Sequence, residues 1–354
     1  YHRLENFLYY GLPVSELGVI AKTVDKSHKT EIYRSAVFAA ESELLFNTFE
    51  ENKIKFMPLK GSIIKHLYPF VDLRTMTDVD IYFEKAKKKQ VRKIMVDLGY
   101  KVKSFKVGNH DIYLKEPFMN VEMHRDLINE CYALSRYYHD INEKLTLVAG
   151  YSYYYKMSTE DFYIFLIAHM VKHFSGGGTG IRNVIDVYLY LEKYGQEMDN
   201  VYLEKEFAKM GLVTFTHKIK ELAYGWFGDL KVNPIIDEIG LYIIHSGVYG
   251  NITNAAITEI VLGEKATAAF ATSKTKYIFR RLLPKYSVMK NRNQILKKIP
   301  VLLPWFWFTR LLTGLTRKEQ SINELKIINK IDESDKEKVK KIHEEMGVEK
   351  RHEN

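Results

Sequence analysis

Hydrophobic spacing divides the chain into an N-terminal part where helical and strand periods mix, and a longer part where only the helical period recurs. From about Glu31 to Glu51, the residues Ala36, Phe38, Ala39, Leu44, Leu45, Phe46 and Phe49 return at roughly helical intervals and predict a helix. The apolar run Ile54–Leu59 predicts a short strand. Gly61 then opens a tight connection into a short helix, Ile63–Leu67, which Tyr68-Pro69 closes because proline cannot continue it. Val79, Ile81 and Phe83 alternate with Asp78, Asp80 and Tyr82, the period of two of a strand with one buried face. A lysine-rich helix, Lys85–Leu98, is expected to stop at Gly99, and three more strands are expected at Tyr100–Phe105, Asp111–Leu114 and Asn120–His124.

Beyond about Ser158 the strand signal fades. Helices are predicted over Glu160–Phe174, Ile181–Lys193, Tyr202–Met210, Thr214–Trp226 and Pro234–His245, with one more, Ser334–Met346, in a charged tail. A glycine-rich run from Gly176 to Gly180 separates the first two. It follows a helix and lacks the Gly-Lys-Ser/Thr ending of a Walker loop. No repeat of 20 to 50 residues is apparent. The expected fold class is α+β, followed by an all-helical region. The divisions fall at 1–30 (a helical extension), 31–150 (the mixed domain), 151–260 (a helical domain) and 261–354 (a basic aromatic segment and tail).

Composition narrows the function classes. With 354 residues, 46% of them hydrophobic and 27% charged, the chain has enough apolar surface to fold over most of its length. Cys131 is its one cysteine, which excludes an internal disulfide framework and a cysteine-rich zinc module and fits a reducing, cytoplasmic setting. The net charge of +9 is concentrated. Thirteen Lys or Arg and no Asp or Glu lie between Lys265 and Lys318, whereas the remainder holds 40 basic and 44 acidic residues. The most apolar run, Ile299–Leu315, is interrupted by Pro300, Pro304 and Arg310 and is shorter than the roughly 20 residues that span a bilayer.

Candidate chemistry gathers between Pro58 and Glu122. On a strand, residues i and i+2 share a face, so Asp78 and Asp80 are expected to present two carboxylates together. Two unit charges about 4 Å apart repel by about 4 kcal/mol at an effective dielectric near 20. Such a pair calls for a cation or a proton, and magnesium, with its preference for oxygen ligands and substrate phosphates, is the natural cation. Glu122 alternates with Val121 and Met123 on a later strand. If that strand lies beside the first, three acids converge and two metal ions can share them, the arrangement that stabilises an in-line phosphoryl displacement.

The ordered set Pro58-Leu59-Lys60-Gly61-Ser62, Tyr68-Pro69, Arg74 and Asp78-Val79-Asp80, followed by Glu122, resembles the DNA polymerase beta-like nucleotidyltransferase superfamily. More narrowly, it is similar to the uncharacterised bacterial family labelled NTP transferase family 5. The resemblance implies a catalytic domain over 31–150 and a helical domain over 151–260 that closes its cleft. It also implies a nucleoside triphosphate donor with two Mg2+ or Mn2+ ions, and an unidentified acceptor such as a small molecule, a peptide or an RNA. It gives Asp78, Asp80 and Glu122 the metal-binding and catalytic roles. Gly61, Ser62 and the amides after them would hold the triphosphate, with Lys60 and Arg74 as nearby cations. For Arg74, an ion pair with a neighbouring acid is the other reading. The connection from the Gly-Ser turn to Asp78 is longer than in many members of the superfamily.

In the helical region, His169 and His173 share a helix face at a spacing that zinc can use, without the His-Glu-x-x-His pattern. By resemblance, Arg182 with Lys172 or His173 reaches the triphosphate; an Arg182–Asp186 pair along one helix is the alternative. The basic segment interleaves its charges with Phe270, Tyr277, Phe279, Tyr286, Trp305, Phe306, Trp307 and Phe308. That pattern suits a single-stranded nucleic acid, an anionic membrane surface, or simply a solvated helical face over a core. The leading expectation is nucleotidyl transfer with release of pyrophosphate. The alternative is a nucleic-acid-binding or peripheral membrane protein that works through 265–318.

Overall fold

A computed structural model describes residues 2–129, 133–248, 250–264, 273–316 and 318–348. Lys265, Phe270 and Arg317 of the basic segment lie outside the described residues, as does Cys131. The chain forms two compact units. The first holds the residues up to Asn129 together with Ser135–Leu166 and Leu189–Asp199; the second holds Ile167–Tyr188 and the described residues from Asn200 onward.

The first unit begins with α1 (Glu5–Gly11), α2 (Val14–Leu17) and the long helix α3 (Ala21–Glu51). Next come β1 (Phe56–Pro58), α4 (Gly61–Ile64), β2 (Val79–Phe83), α5 (Lys88–Asp97), β3 (Lys101–Ser104), β4 (His110–Lys115), β5 (Met119–His124), β6 (Leu145–Leu147) and β7 (Tyr155–Met157). Five strands form one mixed sheet in the order β1-β2-β5-β4-β3, and β6 pairs with β7 in a separate hairpin. Within the large sheet, β2 and β5 run parallel while the other pairs are antiparallel.

One face of this sheet makes the core. Val79, Ile81 and Phe83 of β2 and Val121 and Met123 of β5 pack with Phe38, Leu45 and Phe49 of α3 and with Val91, Ile94 and Met95 of α5. These α5 positions recur at helical spacing among lysines, so burial of one stripe is what holds the helix on the sheet. Gly99, with φ +86°, then ends the turn, and the Tyr100 amide returns to the Met95 carbonyl at 2.9 Å.

Several boundaries differ from expectation for identifiable reasons. Helix α3 starts ten residues before Glu31, because its first turns bury polar side chains, His28 among them, which a hydrophobic pattern does not register. Strand β2 is buried on both faces, since Asp80 and Tyr82 are covered as well as the apolar positions. Asp78 sits just ahead of the strand and not within it. The β6–β7 hairpin was not predicted: its residues are mostly exposed or half-buried, and it is tied to β1 through the Phe56 amide and the Tyr153 carbonyl at 3.0 Å.

Helices α6 (Thr159–Phe174) and α7 (Ile181–Tyr194) have residues in both units. The second unit continues with α8 (Asn200–Met210), α9 (Val213–Phe227), α10 (Pro234–Ser246), α11 (Ile252–Glu264), α12 (Ser273–Leu282), α13 (Tyr286–Arg292), α14 (Gln294–Lys298), α15 (Leu303–Thr316), α16 (Lys318–Lys330) and α17 (Glu333–Glu345). The glycine run before α7 is explained by packing. A Cβ on Gly178 would sit 2.0 Å from the Ser246 hydroxyl at the end of α10, so only glycine lets these segments approach. Among the described residues, no helix is long and apolar enough to cross a membrane.

Phe49 is fully buried with its ring 5.7 Å from that of Phe56. Phe49→Ala is expected to lower stability by about 3–5 kcal/mol, whereas Val19→Ala, at a fully exposed position, should change it by less than about 0.5 kcal/mol. Urea unfolding of both variants checks the placement of the core.

Candidate active site

The site lies on the sheet face opposite the α3 and α5 core. Because β2 and β5 run parallel with Val79 opposite Val121, Asp80 falls opposite Glu122 and Tyr82 opposite His124. On the other side of β5, the antiparallel register sets His110 of β4 opposite His124. Residues two apart on a strand share a face. The sheet therefore presents Asp80, Glu122, His124 and His110 side by side, with the alternate positions committed to the core.

Asp80 is buried, and both of its oxygens are engaged. His124 Nε2 lies 2.6 Å from Oδ1, and Lys60 Nζ is 3.2 Å from Oδ2. Burial works to raise the Asp80 pKa, but the Lys60 ammonium and the His124 hydrogen bond outweigh it and hold the carboxyl well below its usual range. An ionised carboxylate only accepts hydrogen bonds, so His124 Nε2 carries the hydrogen in this contact. Glu122 Oε2 lies 3.3 Å from His110 Nε2 and 3.7 Å from His124 Nε2. The ligand atoms of His110, Glu122 and His124 all fall within 4.8 Å of one another.

The backbone that delivers Lys60 is unusual. After β1, the Leu59 amide bonds the Asp80 carbonyl at 2.9 Å, and Lys60 then adopts φ +44°, a left-handed conformation that costs a lysine energy. Gly61 follows, and a Cβ there would lie 2.4 Å from Arg74 Nη1 and 3.0 Å from the Met76 methyl. Glycine is thus required for the buried Arg74 guanidinium to rest against the turn. The segment before Arg74 is fixed by Asp72, which accepts from Asn6 Nδ2 at 3.0 Å and Tyr10 Oη at 3.3 Å and pairs with His28 at 3.3 Å.

The amides of Ser62 and Ile63 are occupied by the carbonyls of Leu59 and Lys60, at 3.2 and 3.0 Å. The expectation that amides after Gly61 bind phosphate therefore does not fit those two groups. The Ser62 hydroxyl, in contrast, is buried with no hydrogen-bond partner among the described residues. Lys65, one turn further on, has its pKa lowered by burial and by the charge of Arg74. Lys60, Lys65 and Arg74 thus make a local concentration of positive charge beside the Gly-Ser turn.

The structure therefore brings Asp80, Glu122 and Lys60 together, sets Arg74 against Gly61 and Ser62, and leaves Asp78 partly buried two residues before Asp80. Lys172, His173 and Arg182 belong to the second unit, at the end of α6 and the start of α7. His169 and His173 stand 3.2 Å apart through their Nε2 atoms, and among the described residues no third ligand joins them in a metal-binding group. His110, His124 and Lys65 are the site residues that sequence reasoning missed. The Glu-x-His spacing on β5 was a usable signal for His124; His110 needed the β4–β5 register.

A mixed sheet with acids on neighbouring strands, next to a Gly-Ser turn lined with cations, defines an α+β domain with a charge-rich candidate site. Residues 1–228 match the profile of a family described as an uncharacterised nucleotidyltransferase, and the chain belongs to that family. Comparison with curated proteins and with solved structures gave no match.

Two outcomes test this geometry. Because the Asp80 pKa is lower in the folded state than unfolded, its contribution to stability is complete above its ordinary value of 3.8 and is lost as the pH falls below it. Acid unfolding should therefore be steeper below that pH for the wild type than for Asp80→Asn. Arg125, buried against Asp111 and donating to the Gly108 carbonyl at 2.6 Å, braces the ends of β4 and β5 next to both histidines. Arg125→Met should cost about 3–5 kcal/mol by leaving the buried Asp111 charge with only the Lys106 amide as a partner, measured by urea unfolding.

Proposed function

We propose that the chain transfers a nucleoside monophosphate from a nucleoside triphosphate to a hydroxyl or phosphate acceptor, releasing pyrophosphate, with divalent metal ions held by Asp78, Asp80 and Glu122. The observation that carries this reading is the pairing of Asp80 with Glu122 on adjacent parallel strands, supported by membership of a nucleotidyltransferase family. The donor set fits a divalent ion. Each Asp80 oxygen keeps a lone pair beyond those used by Lys60 and His124, and Glu122 Oε2 lies 3.3 Å from His110 Nε2, close enough for the two to share an ion. Bound there, Mg2+ or Mn2+ would neutralise charge that develops on the transferring phosphoryl oxygens.

The chain's own groups divide the remaining work. Lys60, Arg74 and the Ser62 hydroxyl bind and orient the triphosphate, with Lys65 adding positive charge. The acceptor oxygen attacks the α-phosphorus, the bond to the β-phosphate oxygen breaks, and pyrophosphate leaves with the electron pair. The negative charge of Glu122 favours loss of the acceptor's proton. Lys172, His173 and Arg182 are proposed as further anion-binding residues, a role tested separately below.

Thermal unfolding with each of the four nucleoside triphosphates, in Mg2+, Mn2+ or EDTA, tests the reading. A bound nucleotide at a hundredfold above its dissociation constant should stabilise by about 2.7 kcal/mol. The shift should require metal, disappear in an Asp78→Asn, Asp80→Asn double variant, and accompany pyrophosphate release once an acceptor is supplied. No shift with any nucleotide would overturn the proposal. The His110 imidazole beside Glu122 favours Mn2+ over Mg2+, so His110→Ala should weaken the Mn2+ response more than the Mg2+ response. Arg182→Ala should weaken nucleotide binding without changing the metal-free melting temperature.

A further inference from the structure

Helix α15 turns a row of large apolar side chains to the surface. Its inner side is anchored: the Trp307 indole Nε1 donates to the Pro284 carbonyl at 3.0 Å, and Arg310 donates to the Arg281 carbonyl at 3.3 Å. These two bonds hold this side of α15 to the end of α12 and the turn after it. Outward, Val301 in the single 3-10 turn that precedes α15 is followed by Trp305, Phe308 and Leu312, which recur at intervals of three and four residues as one stripe of α15. They are 79%, 59%, 51% and 47% exposed. The Trp305 and Phe308 rings lie 5.9 Å apart, so the stripe is continuous.

Its neighbours extend the same surface. Helix α15 packs against α12, α13 and α16. Phe279 and Leu282 on α12, together with Ile295 on α14 and Ile299 just after it, are exposed. The neighbouring helices are well packed on their inner sides, since Met289 and Leu296 are buried and the Tyr286 hydroxyl donates to the Leu296 carbonyl at 2.8 Å. The exposed side chains are thus not the residue of a poorly formed core. Contiguous apolar surface of this kind marks an interaction site.

Charge selects the partner. Exposed Arg281, Lys285, Lys297 and Lys298 lie among these apolar positions, and no acid occurs between Lys265 and Lys318. A symmetric contact with a second copy would press this positive rim against itself. Nucleic acid would match the charge but not the stripe, because Val301, Leu312, Ile295 and Ile299 offer no ring on which a base can stack. An anionic bilayer matches both features: aromatic and aliphatic side chains enter the interface while lysines and arginines meet the headgroups.

We infer that α12–α15 form a docking surface for an anionic membrane, with α15 lying in the plane of the interface and its Trp305–Leu312 stripe, with Val301 just before it, inserted among the acyl chains. The segment does not cross the bilayer; it holds the protein on one leaflet. This inference is independent of the nucleotide reaction.

The test is co-sedimentation of the full chain with vesicles of phosphatidylcholine alone and of phosphatidylcholine mixed with phosphatidylglycerol. Binding should be strong to the mixed vesicles, weak to the neutral ones, and reduced by salt. Tryptophan emission should shift to shorter wavelength and be quenched by brominated lipid, and Trp305→Phe should remove most of that signal. Trp305→Ser with Phe308→Ser, and separately Lys297→Glu with Lys298→Glu, should each lower partitioning by at least about tenfold. Both leave the melting temperature and its shift with nucleotide unchanged, which separates this result from the fate of the proposed reaction. Failure to bind either vesicle would overturn the inference. So would self-association or oligonucleotide binding that both double variants abolish while vesicle binding stays weak.

Discussion

The first unit depends on one costly juxtaposition, two carboxylates held at opposite positions of adjacent parallel strands. Asp80 and Glu122 cannot sit side by side in a buried setting without compensation, and the surrounding residues supply it: Lys60 and His124 on Asp80, His110 and His124 on Glu122. Much of the local architecture serves this end. The left-handed backbone at Lys60 brings the ammonium back over β2, and the β4–β5 register brings the second imidazole alongside the first. The opposite face of the same strands is filled with Val79, Ile81, Val121 and Met123, so neither strand can shift by one residue without burying an acid in the core.

A second layer of support acts on the cations. Asp72 gathers Asn6, Tyr10 and His28, and through them α1 and α3, onto the segment that carries Arg74. Arg74 in turn lies against Gly61, where a side chain would have to push the ends of Arg74 and Met76 aside. The N-terminal helices are therefore part of what positions the Gly-Ser turn. They are more than an appendage to the sheet, although the polar residues that make these contacts hid the start of α3 from a reading based on apolar spacing.

How much was legible in the sequence follows the physics of each element. Strands β2, β4 and β5, helix α5 and the helices from α6 to α10 announce themselves through periodic burial, and each falls within a few residues of its expected place. The Gly-Ser turn and the acids were legible because their chemistry is unusual at that spacing. The histidines were harder to find. His124 is encoded locally, two residues after Glu122 on one strand, but His110 joins the group only through strand pairing, and nothing near it in the sequence signals that. The engagement of the Ser62 and Ile63 amides by nearby carbonyls is likewise a matter of turn geometry, which composition does not reveal. In the second unit, charge and aromatic content pointed to 265–318, yet only the helix orientation shows which face of α15 is turned outward.

The β2–β5 pairing also bears on how the molecule reaches its native state. Asp80 and Glu122 are far apart along the chain, and their strands run in the same direction, so they meet only after α5, β3 and β4 have been laid down between them. Contacts of that kind form late, because the entropy of closing a long loop must be met before the pairing gives anything back. The acidic cluster is consequently a product of the completed sheet and not of any local hairpin. A chain still on the synthesising ribosome, or one opened by partial unfolding, has no assembled cluster of acids, and the arrangement appears only together with the finished fold.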